Sequence, residues 1–233
     1  MIGHAAQLER ILGNAKIADA AQLEQLVGLV DGGARLERLI QATDSGAQLV
    51  ELLTKAGGAG QAARLENLIA LATGRQASRL QQLLDLAGGN SGKFEQLYRW
   101  TLRLSRRTAK PAYPPPPQVA AHGFTGANMP HFLDHTWEWT NLASRMNKPS
   151  TTFWPEGTQP NRISGYLGEA LDFLNPGGGP RLPLPGTPLA APTSGGGTQV
   201  GSQASGAIGQ FFPTSGVTIP RDEMRAIGRI LLP

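Results

Sequence analysis

Apolar residues recur through the first hundred positions as Leu-x-x-aliphatic-aliphatic: Leu8/Ile11/Leu12, Leu23/Leu26/Val27, Leu36/Leu39/Ile40, Leu49/Leu52/Leu53, Leu65/Leu68/Ile69 and Leu80/Leu83/Leu84. An aromatic version follows at Phe94/Leu97/Tyr98, and the leading residues stand 15, 13, 13, 16, 15 and 14 apart. Positions i, i+3 and i+4 share one helix face, so each unit predicts a short amphipathic helix with a single apolar stripe. Glycine-bearing breaks at Gly13-Asn14, Gly32-Gly33, Ser45-Gly46, Gly57-Gly58, Gly74 and Gly88-Gly89 suit helix ends and tight turns. Seven short helices are therefore expected. A helix of about ten residues is marginal alone in water, so the stripes must bury one another. The opposite faces, such as Gln22/Glu24/Gln25 and Arg64/Glu66/Asn67, mix charge signs and converge on no site. This arm, residues 1–110, reads as a scaffold or docking surface.

The pattern then changes. Ala112-Tyr-Pro-Pro-Pro-Pro117 predicts polyproline II, a semi-rigid spacer within a hinge over 111–121. Beyond it, Met129–Ser144 is helix-compatible, with Pro130 in the first turn. Thr151–Trp154 predicts a short strand ended by Pro155, and Thr158 caps a helix from Gln159 to Leu174. Asn175–Gly197 reads as a Pro/Gly-rich loop. Thr198–Gln203 and Ala207–Phe212 predict a hairpin, followed by a strand at Val217–Ile219 and a last helix over Asp222–Leu232. The fold class expected is α+β: an all-α short-helix repeat arm followed by a small α+β domain, 122–233, with one antiparallel sheet.

Charge sharpens the division. The net charge of +4 is concentrated before the hinge, where Lys93–Lys110 carries six basic residues against Glu95. A phosphate partner or a solvated basic helix end would each account for it. From Ala121 onward seven basic residues face seven acids. Cysteine is absent, which excludes disulfides and thiolate metal sites and leaves the redox compartment open. The N-terminal stretch lacks the basic start and apolar core of a secretory signal. No apolar run approaches the roughly 20 residues that span a bilayer.

Candidate chemistry gathers after the hinge, in His131-Phe-Leu-Asp-His135-Thr136. On a helix the i, i+4 spacing puts both rings on one face. Zinc would need a third ligand and, for the protease motif, a Glu where Phe132 stands. Two histidines can instead act as general base and general acid, or can simply pack and hydrogen-bond. Thr136, Thr151 and Thr152 could bond a phosphate oxygen, and Trp137 or Trp154 could stack a base or fill a core.

The run from His131 to Thr136, then Asn147-Lys-Pro-Ser-Thr-Thr-Phe-Trp-Pro-Glu-Gly-Thr158, Ile163, Ala170-Leu171 and Ile208-Gly-Gln-Phe-Phe-Pro213 resembles the C-terminal toxin domain of bacterial polymorphic toxins. The kind in question is the metal-independent ribonucleases of barnase, EndoU, colicin and RelE type, over about residues 122–233. The resemblance implies histidine-centred RNA cleavage to a cyclic phosphate, without metal or cofactor, and a cognate immunity protein. His131 and His135 would form the acid–base pair, Thr136 and Thr152 the phosphate-contacting hydroxyls, and Gln210 a positioning group. Trp154 and Arg162 would bind substrate. The chain would then be a secreted or delivered effector acting in a target cell's cytoplasm, its helical arm meeting delivery or secretion machinery. The alternative is a non-enzymatic helical-repeat module that binds protein, with a small adaptor domain.

Overall fold

The computed structural model describes residues 9–11, 13, 16–72, 74, 76–177 and 188–233. In chain order the elements are α1 (Ala20–Leu29), α2 (Gly33–Ala42), α3 (Gly46–Lys55), α4 (Ala62–Leu71), a 3-10 turn (Ala77–Leu80) leading into α5 (Gln81–Ala87), and α6 (Ser91–Ser105). Then come α7 (Pro117–Ala121), α8 (Met129–Leu133), α9 (Leu142–Arg145), β1 (Ser150–Phe153) and α10 (Pro160–Leu174). The chain closes with β2 (Leu189–Thr193), β3 (Gly196–Ser202), β4 (Ile208–Pro213), β5 (Val217–Pro220) and α11 (Arg221–Leu231). The class is α+β, as the pattern predicts.

The chain divides into two compact units, one of Met1–Ser105 with Asp222–Pro233, the other of Arg106–Arg221. In the helical unit the predicted stripes are buried: Leu36, Leu39, Leu49, Leu52, Leu65 and Leu83 are each at most 1% exposed. Val27 departs from its stripe and is 51% exposed. The first predicted helix is described only at Glu9–Ile11, with Leu8 and Leu12 outside the described residues. Polar residues at the breaks start the helices: Asp19 accepts from Gln22 N and Ser45 from Gln48 N.

The stripes do not pack in simple succession. Most helices pack on the next but one, α1 on α3, α2 on α4, α3 on α5 and α4 on α6, while α5 and α6 pack chiefly on each other. Side chains repeat the same offset. Arg35 Nε meets Glu66 31 residues on, Lys55 Nζ meets Asp85 30 on, and Asn67 Nδ2 donates to Tyr98 OH 31 on. The repeating unit is therefore a helix pair of about 30 residues arranged in two rows, rather than one helix of 13 to 16. One turn fixes its close approach: Gly57 has φ +105°, and a Cβ there would lie 2.7 Å from Ser91 Cα.

The helical unit is completed from the far end of the chain. α11 buries Met224, Ala226, Ile227 and Ile230, and its Glu223 pairs with Lys93 on α6. Arg79 Nη1 donates to the carbonyls of Arg229 and Leu232 at the end of α11, at 3.0 and 2.7 Å. The final helix was expected within the C-terminal domain. Its amphipathic sequence marks a buried face without naming the core that buries it.

Among the described residues the second unit holds two small antiparallel sheets where one was expected: β2–β3–β4, and separately β1 with β5. The predicted β3–β4 hairpin forms, packing Val200 and Phe211 against Ile163, Leu167 and Leu171 of α10. β2 lies in what reads as loop. As an edge strand it tolerates Pro192, while residues 178–187 of that expected loop lie outside the described residues. The expected helix Met129–Ser144 stops at Leu133, because Thr136 Oγ1 donates to Leu133 O and accepts from Trp139 N. Asn141 then caps the short α9. Thr158, expected to cap α10, instead donates to Pro155 O, leaving Gln159 at the cap position. The expected hinge also ends early, since Pro117 opens α7 and Tyr113 packs on the core of this unit.

Candidate functional site

α8 and the turns after it place the histidine pair. Asn128 caps α8 by accepting from His131 N, and His131 sits half-buried at the rim of that helix while Phe132 and Leu133 fill the core. Four residues on, the chain turns inward and His135 is only 7% exposed. The two rings lie 5.8 Å apart, nearly perpendicular at 87°. His135 stacks on Phe212 of β4 at 5.4 Å.

β1 and the residue after it hold His135 at both its ring and its backbone. His135 Nδ1 lies 2.8 Å from Thr152 O, and Trp154 N donates to His135 O at 2.7 Å. A carbonyl only accepts, so Nδ1 carries the proton and Nε2 is left as the acceptor. Burial, with Arg145 adding to it, pushes the His135 pKa down to about 3. His131, half-buried, is also pushed down, first by burial, then by Arg145, with Lys148 and Lys110 adding and Asp134 opposing.

These charges form a cluster beneath the rings. Asp134 accepts from Asn141 N at 2.7 Å and pairs with Lys110, and its other oxygen lies 3.6 Å from Arg145 Nη2. Arg145, the last residue of α9, is 4% exposed, and burial lowers its pKa. Its Nη2 lies 3.4 Å from His131 O, and its Nε has no hydrogen-bond partner among the described residues. The sequence does not single out Arg145 or Lys110 as site residues. A buried arginine and a solvated one are the same letter, and the only local signal is Asp134 between the two histidines.

The other expected site residues are not gathered here in the expected roles. Trp154 is fully buried against Tyr166 and Phe211, each 5.5 Å away, and is closed to a base. Thr136 is 1% exposed with its hydroxyl engaged by the backbone on both sides. The Thr152 hydroxyl meets Thr218 Oγ1 across the β1–β5 pair, so it is this residue's carbonyl that serves His135. Gln210 is exposed on β4 opposite Gly201, and Arg162 is exposed in the first turn of α10. Neither has a hydrogen bond to the histidines among the described residues. His122, by contrast, is a strut: its Nε2 donates to Asp172 at 3.0 Å and its Nδ1 accepts from Asn175, tying α7 to α10. Among the described residues no group of three His, Asp or Glu side chains could hold a metal ion.

The buried ring makes stability depend on pH. Between the ordinary value of 6.5 and about 3, the unfolded chain holds a proton at His135 that the folded chain does not. Stability from this residue is therefore complete above 6.5 and falls as pH drops through that window, with no further loss below it. We expect the urea midpoint of the second unit to fall between pH 7 and pH 4, and His135→Phe to flatten that slope. An unchanged slope in the variant would place the acid sensitivity in another group.

No family model matches this chain, and no curated protein or solved structure matches it either.

Proposed function

We propose that the unit of residues 106–221 cleaves RNA by metal-independent histidine chemistry. The observation that supports it is a pair of histidine rings 5.8 Å apart beside an ion cluster in which Arg145 and Lys110 meet Asp134. The 2′-hydroxyl of RNA attacks the adjacent phosphorus, the 5′-oxygen leaves, and a 2′,3′-cyclic phosphate remains. One group must take the hydroxyl proton and another must protonate the leaving oxygen. His135, neutral with Nε2 free to accept, suits the first task. His131, half-exposed and open to solvent, suits the second. Burial first and the Arg145 charge second hold both pKa values low, and an anion beside Arg145 would offset the second of these.

On this reading the chain is a toxin-like effector, with a cognate immunity protein as the partner that masks the second unit and the helical unit as the surface for delivery machinery. The sequence resemblance carries those partners. The second reading, a non-enzymatic binding module, is favoured by the two-row stack, because stacked helix pairs present similar surfaces at a regular spacing.

The full chain incubated with end-labelled RNA and a chelator separates the two. We expect fragments ending in cyclic phosphate, and a rate lower by roughly 10²–10⁴ in folded His131→Ala, the usual loss on removing a general acid or base. Intact RNA with wild type, or equal cutting by both proteins, would end the enzymatic reading and leave the binding module.

A further inference from the structure

We infer that Arg145 is a positioning residue for a phosphate-type oxyanion, held beside His131 by its unpartnered Nε and its loosely paired Nη2. The inference rests on the proposed RNA cleavage only for the identity of the anion, a phosphodiester.

A guanidinium carries five N–H donors in a planar fork and is seldom buried without partners that fill them. Arg145 is 96% buried by its 4% exposure, yet its nearest acceptors are long ones. Nη2 stands 3.4 Å from His131 O and 3.6 Å from Asp134 Oδ2, and Nε meets nothing. Charge-assisted pairs ordinarily close to about 2.7–2.9 Å. Asp134 offers the fork one oxygen, Oδ2 at 3.6 Å from Nη2, since its Oδ1 is taken by Lys110 and Asn141 N. Leaving a buried charged group this poorly paired costs stability, and such a cost persists where it serves a ligand.

The surroundings select an anion. The charges that act on His131 are those of Arg145, Lys148 and Lys110, opposed by Asp134, and the neutral His135 ring lies 5.8 Å away. A tetrahedral oxyanion would take two donors from the fork and bring its remaining oxygens toward the His131 ring. The site is anchored on regular backbone: α8 carries His131, α9 ends in Arg145, and β1 locks His135. Substrate phosphate so held would be set against the proton-carrying ring, and Arg145 would act through that placement.

The test follows the His131 ring by NMR in the full chain, titrated in chloride and in inorganic phosphate at equal ionic strength. Phosphate is expected to raise the His131 titration midpoint by about one pH unit or more, the effect of an opposite charge within roughly 4–6 Å. In Arg145→Gln, folded by circular dichroism, the displacement should vanish. Arg145→Lys should restore part of it, since charge returns without the fork. No displacement in wild type overturns the inference without any variant, and so does an undiminished displacement in Arg145→Gln. A phosphate response that needs Arg145, in a chain that leaves RNA intact, keeps the oxyanion site and removes the ribonuclease reading. RNA cut equally fast by wild type and Arg145→Gln does the reverse.

Discussion

A chain ending at Arg221 is expected to lose its helical unit as a cooperative structure while keeping the second unit folded. The cut removes α11, whose Met224, Ile227 and Ile230 are each at most 1% exposed. Each such side chain contributes about 1.5–3 kcal/mol when buried, so the three together supply about 5–9 kcal/mol, on the scale of a whole domain's stability, about 5–15 kcal/mol. The cut also leaves Lys93 without Glu223 and strips Arg79 of the two carbonyls it bonds. Native-state hydrogen exchange measures the outcome. Amides of α2 to α6 should lose most of their protection and those of α10 should keep theirs. Full protection of α5 and α6 in the shortened chain would show that α11 is dispensable to that core. Ile227→Asp should produce a milder version of the same loss.

Trp154→Ala should destabilise the second unit by about 3–5 kcal/mol, the range for emptying a large aromatic site. The indole is fully buried between Tyr166 and Phe211, and its backbone N–H is bonded to His135 O. Trp154→Phe should cost much less, because Nε1 has no hydrogen-bond partner to lose. Denaturant unfolding of both variants gives the comparison. A stable Trp154→Ala protein with weakened RNA binding would instead return the indole to the base-stacking role its sequence context suggests.

The helices of the repeat are legible because a stripe at i, i+3 and i+4 has one physical meaning. Their pairing is not. The stripe of α2 states which face is buried and is silent on whether α3 or α4 covers it, and the offset emerges only from cross-helix pairs such as Arg35 with Glu66. α11 is the same case at greater range. In the second unit the β3–β4 hairpin announces itself through Ser205-Gly206, whereas β2 hides in a proline-bearing stretch that only an edge position accommodates. The site is half legible. His131 and His135 stand out by residue type and spacing, and the structure does bring their rings together. The unequal burial that makes one neutral and the other open to solvent depends on Phe212 and Thr152, supplied from distant strands. Thr136 misleads because a hydroxyl that ends a helix looks the same in sequence as one that waits for a phosphate.

Because α11 belongs to the helical unit, all of Arg106–Arg221 is translated between α1–α6 and the residues that complete their core. At about 5–20 residues per second that interval is on the order of 10 s, during which the apolar surface that Met224, Ile227 and Ile230 will cover stands open at the ribosome. The second unit can close on itself as soon as it emerges, so a nascent chain halted just after it carries a finished candidate catalytic centre and an unfinished helical one. Chaperone attention to the growing polypeptide should therefore fall on its oldest part, and be released only when its youngest helix arrives.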